Sequence, residues 1–139
     1  MIKKIAFPVM VVLVFASVII AADIVIYDDI KPVLSANCTT CHSFLGSYDT
    51  IMAKTSDVSV TKGKPIVEPA KPDESVLIWR LEGKLPNGDP LERMPQGGNP
   101  LSAETIQMFR EWISQGATET PVNVQEQKHT WGKVKKLFR

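Results

Sequence analysis

Both cysteines of the chain and one of its two histidines lie together in Cys38-Thr39-Thr40-Cys41-His42. Two thiols separated by two residues match the two vinyl groups on adjacent edges of a porphyrin, and each thiol can add across one vinyl group to form a thioether. The histidine directly after the second cysteine is then close enough to bind the iron. This C-x-x-C-H pattern is the attachment sequence of a c-type haem. It predicts one covalent haem c on Cys38 and Cys41, with His42 as an axial ligand.

Three other uses of the two cysteines remain open at this point. A zinc site needs four ligands, and the sequence offers only Cys38, Cys41, His42 and His129, two of which are adjacent. A redox C-x-x-C is expected beside a β-α-β pattern, which the sequence lacks. A disulfide that closes so short a loop would contribute little to stability. The haem interpretation is favoured over all three.

The sequence around the motif predicts an all-α domain of short helices. The periodicity of apolar residues predicts helices at residues 28–37, 47–54, 75–81 and 102–115. Asp28 or Asp29 is expected to cap the first helix, with Pro32 in its first turn. Gly83 is expected to end the third helix, because glycine adopts the left-handed conformation that follows many helices.

Long loops connect these helices. Seven of the ten prolines and four of the eight glycines lie between Pro65 and Pro100. Residues 84–100 are expected to form one long loop, and a loop of that length in a small domain is commonly functional. No strand longer than Ser59–Thr61 is expected. Something other than secondary structure must therefore hold the loops in place.

Five further stretches accompany the C-x-x-C-H motif: Ile30-Lys31-Pro32-Val33-Leu34, Pro72-Asp73-Glu74-Ser75-Val76-Leu77, Arg93-Met94-Pro95, Leu101-Ser102-Ala103-Glu104 and Trp112-Ile113-Ser114-Gln115-Gly116-Ala117. With them, the segment from Tyr27 to Ala117 resembles the small monohaem, class I-like c-type cytochromes. The resemblance implies a cytochrome c-like fold, in which three to five short helices and long loops wrap around one covalent haem. It also implies that a loop methionine closes the far side of the haem, and that the first and last helices pack across each other.

Met94 matches the distal methionine of that family and is predicted to be the second axial ligand of the iron. It lies in the 84–100 loop and is followed by Pro95, which fixes the backbone beside it. Gly97-Gly98 lets the loop pass close to the porphyrin edge. Met52 and Met108 fall within apolar helical patterns, so both are expected to fill the core.

Two alternatives to Met94 stay open. His129 is the one remaining histidine, although it lies beyond the recognisable domain, and the distal position can also be open or exchangeable. Arg80 and Arg93 can each neutralise a haem propionate, but a solvated surface position is the simpler expectation for both. Trp79 and Trp112 are expected in the core, without a redox role.

The first 22 residues have the pattern of a targeting segment. Lys3 and Lys4 precede eighteen residues, Ile5 to Ala22, that carry no charge. A positive start, an apolar stretch and small residues at its end describe a cleaved signal peptide. The stretch is also nearly long enough for a membrane anchor, which takes about 20 residues. Either alternative exports the remainder, so we expect it in the periplasm or on the outer face of the inner membrane.

Charge is distributed unevenly over the rest of the chain. Residues 23–127 contain nine basic and fifteen acidic residues, a net charge of −6, whereas residues 128–139 contain five basic and no acidic residues. An acidic body argues against a nucleic-acid partner. The predicted cytochrome c domain spans residues 23–119, and a basic tail spans residues 120–139. Membrane association is expected through residues 5–22 or through the amphipathic segment 128–139, which can also dock on an acidic partner.

Taken together, these features predict an exported electron-transfer protein and not an enzyme. Iron bound by His42 and Met94 has no vacant position for oxygen or peroxide, so it is suited to carrying single electrons between redox partner proteins. The alternative is a haem c subunit fixed in a larger membrane-bound oxidoreductase. A third hypothesis, an enzyme or gas sensor, requires that Met94 does not bind the iron.

Overall fold

The computed structural model of the protein describes residues 23–121. These residues contain four α-helices: α1 (Tyr27–Asn37), α2 (Tyr48–Ala53), α3 (Val76–Glu82) and α4 (Ala103–Ser114). Short 3-10 turns lie between them at Ser43–Gly46, Ser59–Thr61 and Pro72–Glu74. No sheet forms in the described part of the chain, so the predicted all-α class is confirmed there. The Ser59–Thr61 segment, the longest strand considered from the sequence, forms a 3-10 turn.

Helix α1 begins earlier than predicted. Its N-cap residue is Ile26, and the Ile26 backbone N–H donates to Asp29 Oδ2 at 2.9 Å. The expected cap at Asp28 or Asp29 is therefore wrong. Both residues lie inside the first turn of α1, where their negative charges interact favourably with the positive end of the helix dipole. Pro32 lies in the helix interior and not in the first turn. The helix reaches Asn37 despite this proline, as predicted.

The other helices have the boundaries that their caps predict, to within one residue. The Ser47 Oγ accepts a hydrogen bond from the Thr50 N–H at 3.4 Å and begins α2. The Ser102 Oγ accepts from the Thr105 N–H at 3.2 Å and begins α4. Gly83, with a φ of +74°, ends α3 in the left-handed conformation. The serine hydroxyls thus set the first residue of α2 and of α4, and a glycine, which has no side chain, sets the end of α3.

The two ends of the described domain meet where α1 contacts α4. The Tyr27 N–H donates to the Thr118 carbonyl at 3.0 Å, and the Trp112 indole N–H donates to the same carbonyl at 2.9 Å. The Tyr27 and Trp112 ring centroids are 6.2 Å apart. The fully buried side chains around them belong to every helix of the domain: Ile30, Leu34, Ile51, Ile78, Phe109 and Ile113.

An ion-pair network joins α3 to α4. The Arg110 guanidinium donates to Glu82 Oε1 at 2.9 Å and also pairs with Asp73. Both Arg110 and Glu82 are about a quarter exposed, so the pairs contribute modestly to stability. The network links α4 to the last residue of α3, from which the long loop departs.

The predicted leader (residues 1–22) and the segment from residue 122 onward, including His129, lie outside the described residues. Between residues 23 and 121, no helix combines the length and the apolar composition needed to cross a membrane.

Candidate functional site

The C-x-x-C-H motif forms a tight turn at the end of α1. The Cys38 and Thr39 N–H groups both donate to the Leu34 carbonyl, at 2.8 and 3.1 Å. The Cys41 and His42 N–H groups in turn donate to the Cys38 carbonyl, at 3.2 and 2.9 Å. These four bonds bring both thiols and the imidazole of the motif onto one short, ordered segment.

The two thiols of this turn are free and differ in exposure. Cys38 is half-buried and Cys41 is exposed, and neither forms a disulfide. Burial raises the pKa of the Cys38 thiol. Because the thiolate is the reactive form of cysteine, the Cys38 side chain is the less reactive of the two toward small reagents.

Phe44 supports the His42 ring from the following 3-10 turn. The ring centroids are 5.7 Å apart and the rings meet edge to face at 65°. On the same aromatic ring, the Lys54 Nζ lies 5.9 Å from the centroid. Phe44 was not identified from the sequence as part of the site. The available signal was its position two residues after His42, where a turn can fold it back.

Met94 is half-buried and is held against α3 by its own backbone. The Met94 N–H donates to the Arg80 carbonyl at 2.8 Å, and the Leu91 N–H donates to the Gly83 carbonyl at 3.0 Å. Residues 91–94 therefore run back along the end of α3. Residues 84–100 form a loop, as predicted, and these bonds anchor its middle.

Two arginines strengthen this anchor. The Arg80 Nη1 donates to the Glu92 carbonyl at 3.2 Å, and the Arg93 Nε donates to the Leu81 carbonyl at 2.8 Å. The Arg80 side chain is only 14% exposed, so the expectation of a solvated surface arginine is wrong for Arg80. Both guanidinium groups bond the backbone across the junction of α3 and the loop.

The predicted site residues thus fall into two groups on different elements. Cys38, Cys41 and His42 are fixed to α1 and the first 3-10 turn, whereas Met94 is fixed to α3. Four other residues agree with their predicted core positions: Met52 and Met108 are half-buried against the core, and Trp79 and Trp112 are buried in it.

The chemistry of these donors fits a c-type haem. Covalent attachment needs two reduced thiols at C-x-x-C spacing with an adjacent imidazole, and the turn after α1 presents all three. A half-buried thioether is the ligand type that saturates such an iron. Across residues 23–121, no group of three or more histidine, cysteine, aspartate or glutamate side chains is clustered to hold a metal ion directly.

Comparison of the chain with protein-family models, with curated proteins and with solved structures found no match.

Proposed function

We propose that the protein is a monohaem c-type cytochrome that carries single electrons between redox partner proteins. The observation that carries this proposal is the turn after α1, which presents two free thiols and the imidazole of His42 on one segment. Cys38 and Cys41 would hold the haem, each through a thioether made by adding its S–H across one vinyl group. The addition needs reduced thiols and no oxidant.

The His42 imidazole and the Met94 thioether would bind the haem iron. The Phe44 ring restrains the His42 ring, and the bond from the Met94 N–H to the Arg80 carbonyl restrains the loop that carries the thioether. A haem c bound by these ligands supplies a one-electron couple. Because His42 and Met94 would both bind the iron, no coordination position would be left for a small molecule. Electron transfer, and not oxygen or peroxide chemistry, is therefore the proposed activity.

Export is part of the proposal, since covalent haem c attachment and the pattern of residues 1–22 imply the same compartment. The protein is proposed to work in the periplasm or on the outer face of the inner membrane. Fractionation of the native protein separates a mobile carrier from a subunit of a membrane-bound oxidoreductase: a carrier is recovered free of partner chains, and a subunit is recovered with them.

Redox titration followed by absorption spectroscopy tests the proposed activity. The full chain, produced with the machinery for haem c attachment, should titrate as a single one-electron couple, and its reduced form should not bind carbon monoxide. As a matched pair, the Cys38→Ala/Cys41→Ala variant should lose the couple, whereas Thr39→Ala/Thr40→Ala should keep it. Rapid carbon monoxide binding by the unaltered protein would contradict the carrier proposal and favour a gas sensor or an enzyme.

A further inference from the structure

An exposed asparagine–glycine pair, Asn87-Gly88, lies near the beginning of the 84–100 loop. The Gly88 N–H donates to the Leu85 carbonyl at 2.9 Å, and the Leu85 N–H donates to the Asp89 carbonyl at 2.8 Å. These two bonds close a tight turn over residues 85–89, which we call the Asn87 turn. Gly88 has a φ of +89°, a conformation that favours glycine. The pair is therefore held in an ordered turn and exposed to water.

An asparagine that precedes a glycine can lose its side-chain amide without an enzyme, and asparagine is among the thermolabile residues of proteins. The backbone nitrogen of the glycine gives its proton to hydroxide and attacks the asparagine Cγ. A carbon–nitrogen bond forms, the Cγ–Nδ2 bond breaks, and ammonia leaves with a proton taken from water. Water then opens the cyclic succinimide to give either aspartate or isoaspartate. Glycine favours this reaction because it has no Cβ to crowd its nitrogen.

The surroundings of Gly88 and of the Asn87 amide favour this attack. A Cβ built on Gly88 would have nothing within 4 Å, so no packed side chain has to move when the ring forms. The Asp89 N–H donates to Asn87 Oδ1 at 3.1 Å. Because negative charge develops on Oδ1 during the attack, a donor that is already in place stabilises it. The Asn87 Nδ2 also donates to Asp89 Oδ2 at 2.8 Å, which fixes the amide in this orientation.

One hydrogen bond of the Asn87 turn opposes the reaction. The Gly88 N–H must lose its proton before the nitrogen can attack, and this N–H is the one that donates to the Leu85 carbonyl. The folded turn should therefore react more slowly than the same sequence in denaturant. Exposed turns open locally at a much lower free energy than the core does. The reaction thus needs only local opening of the turn, and not unfolding of the domain.

The two other asparagines of the described residues lack this combination. Asn37 is followed by Cys38, which carries a Cβ and whose N–H is bonded at 2.8 Å to a carbonyl of α1. Asn99 is followed by Pro100, whose nitrogen carries no hydrogen to lose. Between residues 23 and 121, Asn87 is therefore the asparagine that is placed to react.

Isoaspartate at position 87 would change the path of the chain that leads to Met94. It lengthens the backbone of the turn by one carbon, because the chain then runs through the former side chain. Three backbone contacts hold the two arms of the turn in register: Leu85 with Asp89, Lys84 with Pro90, and Gly83 with Leu91. The bond from the Met94 N–H to the Arg80 carbonyl continues this series. The added carbon should therefore displace residues 89–94 along α3.

We propose that Asn87 is a site of spontaneous deamidation, and that its isoaspartate form loosens residues 91–94 from α3. The chemistry requires only water and the residues of the Asn87 turn. Its effect on the iron rests on the proposed function, since Met94 is the proposed distal ligand. Because the released ammonia is lost, the loosened fraction should grow with the age of the protein.

Peptide mass spectrometry of the full chain, kept at mildly alkaline pH, tests the site. Asn87 should convert to isoaspartate and aspartate while Asn37 and Asn99 stay intact. Denaturant should accelerate the conversion about three- to tenfold, because the bond from Gly88 to Leu85 is lost. Asn87→Gln should stay intact over the same period, whereas Asn99→Gln should leave the rate at Asn87 unchanged. An intact Asn87 in the folded chain, or equal conversion of Asn37, would overturn the proposal.

Hydrogen exchange measures the effect on the loop. In the purified isoaspartate form, the Leu91 and Met94 amides should exchange about tenfold faster than in the unaltered protein, whereas the Phe109 amide of α4 should not change. Freshly prepared Asn87→Asp is the matched control, because it has the new charge without the added backbone carbon. It should exchange at the parent rate. Unchanged exchange in the isoaspartate form would contradict the loosened loop.

The haem-loaded protein separates this proposal from the proposed function. With haem c attached, the reduced isoaspartate form should bind carbon monoxide to a greater extent than fresh protein, because Met94 is held less firmly. If no haem is attached, the proposed electron-transfer function fails, and the mass and exchange measurements still decide the deamidation site. If haem is attached and Asn87 stays intact, only the deamidation proposal is wrong.

Discussion

The backbone N–H of Met94 donates a 2.8 Å hydrogen bond to the carbonyl oxygen of Arg80. This bond ties the predicted distal ligand to helix α3, although fourteen positions separate the two residues in sequence. The position of the methionine is therefore set by the packing of α3 against α4 as well as by the loop. Changes to that junction should alter iron ligation without removing the thioether itself.

Replacing the thioether gives the most direct effect on ligation. Met94→Ala should open the distal position, lower the reduction potential and allow the reduced form to bind carbon monoxide, because methionine ligation favours the reduced state. Met108→Ala, at another half-buried methionine, should reduce stability but leave the spectrum unchanged. Absorption spectra with and without carbon monoxide distinguish the two. If Met94→Ala retains the parent spectrum while His129→Ala changes it, the ligand is His129.

Gly83→Ala should weaken the anchor of the loop. Gly83 has a φ of +74°, and a Cβ there would lie 3.1 Å from the Arg93 Cβ. We expect a loss of about 1–3 kcal/mol from backbone strain and crowding, together with partial loss of methionine ligation. Gly63→Ala is the control, because Gly63 has a φ of +78° but nothing within 4 Å of the added atom. Denaturant unfolding and the absorption spectrum measure both effects. A Gly63→Ala variant that perturbs ligation equally would show that crowding at Arg93 is irrelevant.

The parts of the fold that depend on one local side chain could be predicted from the sequence. Ser47 and Ser102 accept hydrogen bonds from the first turns of α2 and α4, and Gly83 supplies the left-handed residue after α3. Each is a short-range effect that operates whatever the rest of the chain does. The C-x-x-C-H motif is also a local pattern of five residues, and the haem attachment that it predicts stays a prediction.

The features that depend on tertiary contacts could not be predicted in this way. The sequence predicts Asp28 or Asp29 as the cap of α1, but α1 begins at Tyr27, whose N–H donates a hydrogen bond to the Thr118 carbonyl. The anchoring of residues 91–94 depends on backbone carbonyls of α3, which any sequence would offer. The Phe44 contact with His42 likewise depends on how the 3-10 turn folds. None of these produces a periodic pattern.

The two thiols should differ in reactivity before haem is attached. Cys41 is exposed, whereas Cys38 is half-buried and burial raises the pKa of its thiol. Iodoacetamide should therefore alkylate Cys41 first, and the difference should narrow as rising pH forms more Cys38 thiolate. Peptide mass spectrometry over time follows both sites. Equal rates in the folded chain, or faster modification of Cys38, would contradict the described turn; equal rates in denaturant are the control.

Ionisation of Tyr27 should lower the free energy of unfolding at alkaline pH. Burial, with the nearby carboxylates of Asp28 and Glu119, raises the pKa of Tyr27 above its ordinary value of 10.0. The folded state favours the neutral phenol. The contribution of Tyr27 to the free energy of unfolding is therefore complete below pH 10 and is lost as the pH rises through the folded-state pKa. Tyr27→Phe should remove the part of the alkaline loss of stability that ionisation of Tyr27 causes. It should also cost about 1 kcal/mol at neutral pH, because the Tyr27 hydroxyl donates to the Leu45 carbonyl at 3.2 Å.

The measurement compares unfolding free energies of the unaltered protein and Tyr27→Phe between pH 8 and the alkaline limit of folding. Tyr48→Phe serves as the control, since its ring packs on Tyr27 with centroids 5.7 Å apart. Identical pH profiles for the unaltered protein and Tyr27→Phe would contradict the role of this buried phenol.

The intact mass of the exported protein under denaturing conditions tests the central claim most directly. The account predicts the mass of the polypeptide, with or without residues 1–22, plus one haem, with neither Cys38 nor Cys41 available for alkylation. A mass equal to that of the bare polypeptide, with both cysteines alkylated or joined in a disulfide, would contradict it.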